Sequence, residues 1–578
     1  MKNTLSRLMA RREMRRLIGL FLVAALAAGL LLAAGGPLTT GVAAQTRPEG
    51  GKPLGLPVAA APGPSTWLLG QPYGNTIGAF LRGDEWYRAG QRLHFGIDFS
   101  MLCGTPLVAV GDGEVLFVDD MGFGSAPHNL LIRHDAGVVS LYGHLLDRAP
   151  VQPGQRVAKG EVVGYSGDPD ETCTSRPHLH FELRSLDYQT TYNPVAYIDA
   201  NWHMLASIGS FAYPMFQQDL DNARRWMSLD DQPDVRFGGA ALNLYVAPYP
   251  DFRSGTPVDN PPLARPTLPL PQTASLRTLT FAGCCAGAWW SPERADRLFT
   301  IDGAPNQRGA IFYWDVVEPQ GFGLQSEAPP PFTSADGTVA IAPLNEQEFA
   351  LRRADGSESV VNTGGSFPSL SADNSKLLTQ LSGISTSIDV PADTMIRVAN
   401  ADGSEARVVA TVPGGSARWL DDHRLLVILR RELMTSISVI DATSGATFDL
   451  GAWERVRSLS IAPGGGRLMF YTNSQSDPPS SGVYTIETRE GAAPQRLSWF
   501  GSWRWRDADS VYYLPFEPDA GGHTLRVTHV PSGEDRALTD PAVQPFLVAN
   551  GDWSVSPDGT RIAFLNARDM TTWLIEMQ

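Results

Sequence analysis

The sequence predicts an all-β protein: a compact antiparallel β domain followed by a C-terminal β-propeller, with seven blades favoured and six as the alternative. Three observations predict it. Glycine and proline together fill 101 of 578 positions, which demands many turns and argues against a mostly helical chain. Between residues 67 and 199, short apolar runs (PLVAV, GEVLFV, NLLIRH, GVVSLYGHL, QRVAKGEVVGYSG, HLHFEL) are broken by Gly, Asp and Pro, the pattern of strands and hairpins. From about residue 275 a turn followed by an apolar strand recurs seven times, at intervals of 43, 37, 49, 42, 44 and 50 residues, and a period near 44 suits four short strands per unit.

Residues 1–44 carry Lys2, Arg7, Arg11, Arg12, Arg15 and Arg16 against Glu13, a charge of +5 that leaves the rest of the chain at −20 although the total is −15. An uncharged apolar run from Leu17 to Ala34 follows, then Val42-Ala43-Ala44, which fits small-residue cleavage of an export signal before Gln45. A run of 18 residues is also long enough to stay as an uncleaved membrane anchor over residues 17–34. On either reading the chain beyond Gln45 is expected outside the cytoplasm: secreted, in the cell wall or in the periplasm. So acidic a remainder repels phosphate backbones, so nucleic acid is not an expected partner.

Two proline-rich tracts, 45–66 and 247–273, read as extended linkers. They bound a first domain at 67–200, a connecting segment at 201–246 with one candidate amphipathic helix from Met215 to Met227, and a second domain at 274–578. Its seven repeats begin at Ser291, Ser334, Ser371, Leu420, Ala462, Arg506 and Ser556. Only 23 residues remain from Ser556 onward, too few for four strands. The last sheet is therefore expected to be completed by the segment before the first repeat, near Leu276 to Phe281, a closure that removes exposed edges. Trp289, Trp290, Trp419, Trp503, Trp505 and Trp553 precede these turns and are expected to pack between blades. The SPDG turn followed by RIAF resembles the repeat of TolB-like propellers over about half the chain, a likeness that bears on fold and not on activity.

The histidines are unevenly placed: seven of ten (His94, His128, His134, His144, His178, His180 and His203) fall within 110 residues. Neutral imidazole is both a zinc ligand and a proton carrier near pH 7. In HFGID, Gly96 is expected to let the backbone turn so that His94 and Asp98 converge. In HLH, residues two apart on a strand share a face, which puts His178 and His180 at one cavity. LYGHL brings His144 to the end of another strand. Two histidines and a carboxylate leave a fourth zinc position open to water, as hydrolysis requires. Single histidines are weak signals, and His128 and His134 are expected to be structural or at the surface; His203 lies beyond the last of these motifs. Four cysteines in an exported compartment permit disulfides. Cys103 and Cys173 are expected to pair, whereas the adjacent Cys284 and Cys285 cannot easily bridge each other without strain.

The ordered set HFGID, GTP with a hairpin, YGHL, a glycine-spaced hairpin and PHLHFEL closely resembles the lysostaphin-type, or LytM-like, zinc metallopeptidases that cut peptidoglycan cross-bridges. It covers residues 67–200, about a quarter of the chain. The resemblance implies that His94, Asp98 and His180 bind one zinc ion, and that His144 and His178 are catalytic, His178 as general base and His144 at the oxyanion, with an exchange of the two roles left open. It implies peptidoglycan peptide as substrate. The propeller is then a binding or positioning module, with a protein or another envelope component as its partner. The alternative is a non-enzymatic regulator that activates other wall hydrolases; loss of a zinc ligand would favour it, and all five positions are filled.

Overall fold

The computed structural model describes residues 51–74, 76, 79, 93–208, 217–218, 226–238, 265–280, 285, 287–303, 310–317, 320–327, 332–383 and 392–578. The candidate leader lies outside them. Among the described residues, no helix is long and apolar enough to cross a membrane.

The first domain runs β1 (Trp67–Leu69), β2 (Ile97–Met101), β3 (Pro106–Val108), β4 (Gly113–Val118), β5 (His128–His134), β6 (Val139–Leu145), β7 (Arg156–Val157), β8 (Val162–Tyr165), β9 (His178–Arg184) and β10 (Thr190–Tyr192). Its main sheet has the order β1-β2-β9-β6-β5-β4-β7, with β10 also on β9, while β3 and β8 pair separately. Alternation sorts the two faces. Ile97, Phe99 and Met101 of β2 and Leu179, Phe181 and Leu183 of β9 are all buried in one core with Trp67, Tyr142 and Trp202. The ring of Phe181 meets Tyr142 edge-on at 5.2 Å between centroids. Residues between these positions on β2 and β9 point the other way, toward a cleft. Leu54 and Val58 join the same core, so part of the proline-rich tract before Trp67 is packed rather than free.

Of the candidate helix from Met215 to Met227, Gln217, Gln218, Trp226 and Met227 lie among the described residues, and they are strand rather than helix. Gln217 and Gln218 (β11) pair antiparallel with Trp226 and Met227 (β12), Gln217 opposite Met227. A helix would hold those two residues about 15 Å apart, whereas strand partners lie about 5 Å apart. The amphipathic spacing is thus overridden at both ends by strand pairing. A further short strand, β13 (Val235–Arg236), extends β10.

The second domain is a seven-bladed propeller: seven four-stranded antiparallel sheets among the described residues. Every predicted repeat falls between the first two strands of one blade. In three of them the serine hydroxyl donates to an aspartate two residues on (Ser334 to Asp336, Ser371 to Asp373, Ser556 to Asp558). The same oxygens accept the backbone N–H of Val339, Lys376 and Arg561 at 2.9–3.0 Å. A left-handed residue completes each turn, Gly337, Asn374 or Gly559 with φ of 77°, 59° and 72°, values that favour Gly and Asn.

Tryptophans tie blade to blade. The indole of Trp419 donates to the Ser369 carbonyl of the preceding blade at 3.0 Å. Trp503 and Trp505 both reach Ser460 Oγ, at 3.0 and 3.1 Å. Trp553 donates to Ser502 Oγ and Trp290 to the Ser554 carbonyl, at 3.2 and 3.3 Å. The ring is closed by Ala274–Thr278, which pairs antiparallel with Thr571–Met577 as the outermost strand of the last blade. An Arg277–Glu576 ion pair of 3.0 Å fastens it.

On the innermost strand of that blade (Val548–Val555), the buried Asp552 accepts the Gly287 N–H at 2.7 Å. Burial raises its carboxyl to about 7, more than the Gly287 hydrogen bond and the Arg504 charge can offset. Because the folded-state pKa lies above the unfolded one, the folded chain holds this proton over a range where the unfolded chain has lost it. Stability therefore falls as pH rises from about 4 to about 7, by a few kcal/mol from this group. Asp552→Asn is expected to narrow the gap between urea midpoints at pH 4.5 and pH 7.5; an unchanged gap would assign that pH dependence elsewhere.

From Gln45 onward the chain forms one compact unit. Leu68 and Ile208 of the N-terminal half are buried with Met469, Tyr471 and Trp503 of the propeller. Ser65 Oγ donates to the Pro478 carbonyl, the Ser474 N–H to the Pro64 carbonyl and Asn201 Nδ2 to the Ala520 carbonyl, each at 2.8 Å.

Candidate active site

Strand register assembles the cleft. Asp98 lies directly opposite His180, and Ser100 opposite His178, across the β2–β9 pair. Gly143 of β6 lies opposite His180 on the other side. Both glycines near His180 are there for space. A Cβ at Gly143 would sit 2.4 Å from Ser125 Cβ, and one at Gly96 would sit 2.4 Å from the Phe181 carbonyl and 2.9 Å from the His180 ring. Gly96 is not among the residues of positive φ, so its role in HFGID is close approach rather than the expected backbone turn.

His94 Nε2, Asp98 Oδ1 and His180 Nδ1 form a triangle with sides of 3.1, 2.9 and 3.2 Å. Their other hydrogen bonds decide what these atoms are. His94 Nδ1–H donates to the Pro72 carbonyl at 2.7 Å, and His180 Nε2–H donates to Glu182 Oε1 at 3.0 Å. The facing atoms of neutral rings are therefore two lone pairs beside a carboxylate, three acceptors that only a cation can join. A tetrahedral zinc ion with bonds of about 2.0–2.1 Å separates neighbouring ligand atoms by about 3.3 Å, so the group fits such an ion. Burial alone disfavours protonated His180, but its bonds to Asp98 and Glu182 outweigh that and raise the imidazole to about 10. Asp98 is likewise buried, yet His94 and His178 hold its carboxyl well below the usual range.

Two more imidazoles face this centre. The ring of His144 lies 4.9 Å from that of His178 and 5.8 Å from that of His180. His178 Nδ1–H donates to the Arg176 carbonyl at 2.6 Å and His144 Nδ1–H to the Ala126 carbonyl, so each presents Nε2 to the cleft. His178 Nε2 lies 3.6 Å from Asp98 Oδ1. Burial, then the neighbouring imidazoles, pushes His144 down to about 3; burial also lowers His178. Both rings are thus neutral near pH 7. His144 itself sits at φ 55°, a strained conformation for a residue with a Cβ, while its N–H and carbonyl are held by Ser125 and Gly167.

Behind His180 lies a buried relay not anticipated from the sequence. Arg184 Nε donates to Glu182 Oε2 at 2.7 Å and its guanidinium rests 4.8 Å from the Phe237 ring centroid. Burial opposes ionisation of Glu182, but the Arg184 charge and the His180 bond hold it down at about 2. Such a partner fixes the ligand tautomer and orientation. The signal was present in HLHFELR: the period-2 rule that pairs His178 with His180 also carries Glu182 and Arg184 on the same face. Glu182→Gln is expected to weaken metal affinity about 10–100-fold, read by competition with a chromogenic chelator.

The remaining histidines stand apart. His134 is buried between the Gly111 carbonyl and Ser140 Oγ, His128 pairs with Asp119 at 3.0 Å, and His203 pairs with Asp230 at 2.7 Å.

Cys103 and Cys173 are joined in a disulfide, tying the segment after β2 to the loop that delivers His178. That loop is further held by Asp168, which accepts Ser175 Oγ–H and the backbone N–H groups of Ser175 and Arg176 at 2.9–3.2 Å. Replacing both cysteines by Ala frees a closed loop of 70 residues and is expected to cost about 2–4 kcal/mol, measured as a lower urea midpoint. Cys285 is also disulfide-bonded; Cys284 lies outside the described residues.

A β domain with a histidine–carboxylate centre open to a cleft is the arrangement of a metallopeptidase, and residues 92–194 match the model of Peptidase family M23. Residues 92–194 are thus similar to M23 domains of the LytM/lysostaphin-like kind, and the described residues of the second domain form a seven-bladed propeller. The chain is 42% identical over 94 residues to the DD-carboxypeptidase/endopeptidase Mpg of Neisseria meningitidis serogroup B, covering 16% of this chain and 20% of that protein. It is 31% identical over 107 residues to a glycyl-glycine endopeptidase of Staphylococcus capitis, 18% of this chain and 29% of that one. To the peptidoglycan DD-endopeptidase ShyA of Vibrio cholerae serotype O1 it is 36% identical over 90 residues, 16% of this chain and 20% of that one. The likeness thus spans between a fifth and a third of these relatives' length.

Proposed function

We propose that this chain is an exported zinc endopeptidase that hydrolyses peptide cross-bridges of peptidoglycan, with His94, Asp98 and His180 as the metal ligands and the propeller as a substrate-binding or positioning module. The observation that carries the reading is the meeting of three acceptor atoms at 2.9–3.2 Å beside two further imidazoles whose Nε2 atoms face the same cleft. Relatives of the M23 segment named as a DD-carboxypeptidase/endopeptidase and a peptidoglycan DD-endopeptidase support the substrate class.

When bound, zinc supplies Lewis acidity and a water acidified to near neutrality. The protein's own groups do the rest. His178 Nε2, 3.6 Å from a ligand oxygen, takes the proton of the attacking water and returns it to the leaving amine. His144 stands on the oxyanion side. Glu182 and Arg184 keep His180 oriented, and the strained His144 backbone is held open by its two neighbours.

Metal analysis of the purified chain is expected to find about one zinc ion per molecule. Peptide release from purified peptidoglycan should stop with a chelator and return with added zinc, and masses of products from defined muropeptides identify the bond cut. A chain that holds no metal and releases nothing would instead be a non-enzymatic regulator.

A further inference from the structure

One wall of the cleft is made by the propeller. Arg430, Arg455 and Arg457 line the same cavity, of about 1410 Å³, as the candidate metal ligands and His144 and His178. Arg430 lies near the end of a strand of the fourth blade (Arg424–Arg431), and Arg455 and Arg457 stand at the start of the innermost strand of the fifth (Val456–Ile461). The backbone there is irregular: Arg455 and Ser458 have φ of 51° and 50°, and the pairing register slips between Arg457 and Ser460. Bulges of this kind re-aim side chains, and they concentrate beside functional sites.

Arg455 and Arg457 are weakly compensated for their burial, while Arg430 is exposed. Arg455 is 6% exposed, yet its Nε has no hydrogen-bond partner. Its Nη2 reaches only the Cys173 carbonyl, at 3.5 Å. The acid beside it, Glu454, is 3.7 Å away and already accepts the N–H and hydroxyl of Ser476. Arg457 bonds only the Val456 carbonyl, at 3.3 Å, and among the described residues neither Arg457 nor Arg430 has an ion-pair partner. Burial lowers the pKa of Arg455 more than the carboxylates of Glu454 and Asp168 raise it, and Arg457 adds to the lowering; burial and the like charge of Arg430 lower that of Arg457 against a smaller pull from Tyr471. The two carboxylates that line the cleft, Asp98 and Glu182, are occupied by imidazoles and by Arg184. A chain with a net charge of −15 thus keeps a positive wall opposite its candidate catalytic groups. Arg430 is exposed, Arg457 half-buried and Arg455 buried beside an acid 3.7 Å away; a buried cation so weakly compensated is costly, so an arrangement of this kind is expected where a ligand supplies further counter-charge.

We propose that Arg430, Arg455 and Arg457 form a subsite for a free carboxylate of the peptide whose backbone enters the metal centre, which makes the propeller a specificity element of the peptidase. The inference rests on the peptidase reading above. A molecule that presents a peptide bond to the centre carries its anionic charge as carboxylate, and guanidinium forks match carboxylate in a bidentate manner.

The test uses the zinc-loaded full chain and a fluorescein-labelled stem pentapeptide ending in D-Ala-D-Ala, with its carboxyl terminus free or amidated. Anisotropy titrations are expected to show the free acid binding about tenfold or more tightly than the amide. The Arg455→Gln/Arg457→Gln variant should bring the ratio near one without changing affinity for the amide. Arg430→Gln, at an exposed position, gives a smaller loss in the same direction and serves if the double variant fails to melt cooperatively. Equal binding of acid and amide by the wild type, or a preference untouched by these variants, overturns the proposal. So does arginine-dependent binding of a polyphosphate polymer without peptide selectivity. Selective binding without cleavage of any muropeptide would sink the peptidase reading and leave the carboxylate subsite standing; cleavage without carboxylate preference would do the reverse.

Discussion

Replacing Asp98 by Ala is expected to empty the metal centre and abolish hydrolysis together. Asp98 is the only anionic member of the triangle, and its Oδ1 is within 3.1 Å of His94 Nε2 and His180 Nδ1, the two candidate ligand nitrogens. Without it two neutral imidazoles remain to hold a doubly charged ion, and removing the counter-charge removes most of the attraction in a buried site. Asp98→Asn keeps the shape but loses the charge and brings an NH2 group against lone pairs, so it should fare no better. After dialysis against metal-free buffer the wild type is expected to retain about one zinc ion per chain and both variants less than a tenth of that. Peptide release should fall by several orders of magnitude, since the activated water is lost with the metal. A variant that keeps its zinc and half its activity would exclude Asp98 as a ligand. Thermal melting separates this from unfolding, because the core face of β2 is untouched.

His178→Ala should give the opposite dissociation: full zinc content with hydrolysis reduced about 10²–10⁴-fold. The ring is not part of the triangle, and its Nδ1–H is spent on the Arg176 carbonyl, so its removal costs the centre no ligand. The loss is expected in kcat with little change in KM, because a proton carrier acts mainly in the transition state. His144→Ala should also retain zinc. If His178 is the base, its variant loses the acidic limb of the pH–rate profile while the His144 variant keeps it; the reverse result exchanges the two roles. Full activity in both would remove the pair from the chemistry.

The fold was legible because its signals are periodic. Seven turns at regular spacing mark seven blades, and the shortfall after Ser556 announces that the ring must borrow a strand. The strand it borrows ends at Thr278, short of the Phe281 expected. The pairing of Gln217 and Gln218 with Trp226 and Met227 was not legible, since an amphipathic spacing says nothing about the pairing of its two ends. Within the site, His178 and His180 follow from strand alternation, and so would Glu182 and Arg184 had the rule been carried two steps further. The glycine of HFGID shows the limit of local reasoning. Its necessity comes from the Phe181 carbonyl of another strand, some 85 residues away, and not from its own backbone angles. Arg455 and Arg457 were out of reach altogether, because what gives them meaning is the docking of one domain on another.

The strand that seals the ring has a consequence in time. Arg277 and Glu576, which meet across the closing pair, are 299 residues apart in the chain. A contact of such long range forms late, after most of the loop entropy between its ends has been lost. The first domain emerges earlier, and its sheet closes through pairings such as Asp98 with His180, of far shorter range than the strand that seals the ring. The strands that carry Arg430 and Arg457 follow the candidate catalytic histidines in the chain, so for an interval of each molecule's life those histidines are expected to exist without the arginine wall opposite them.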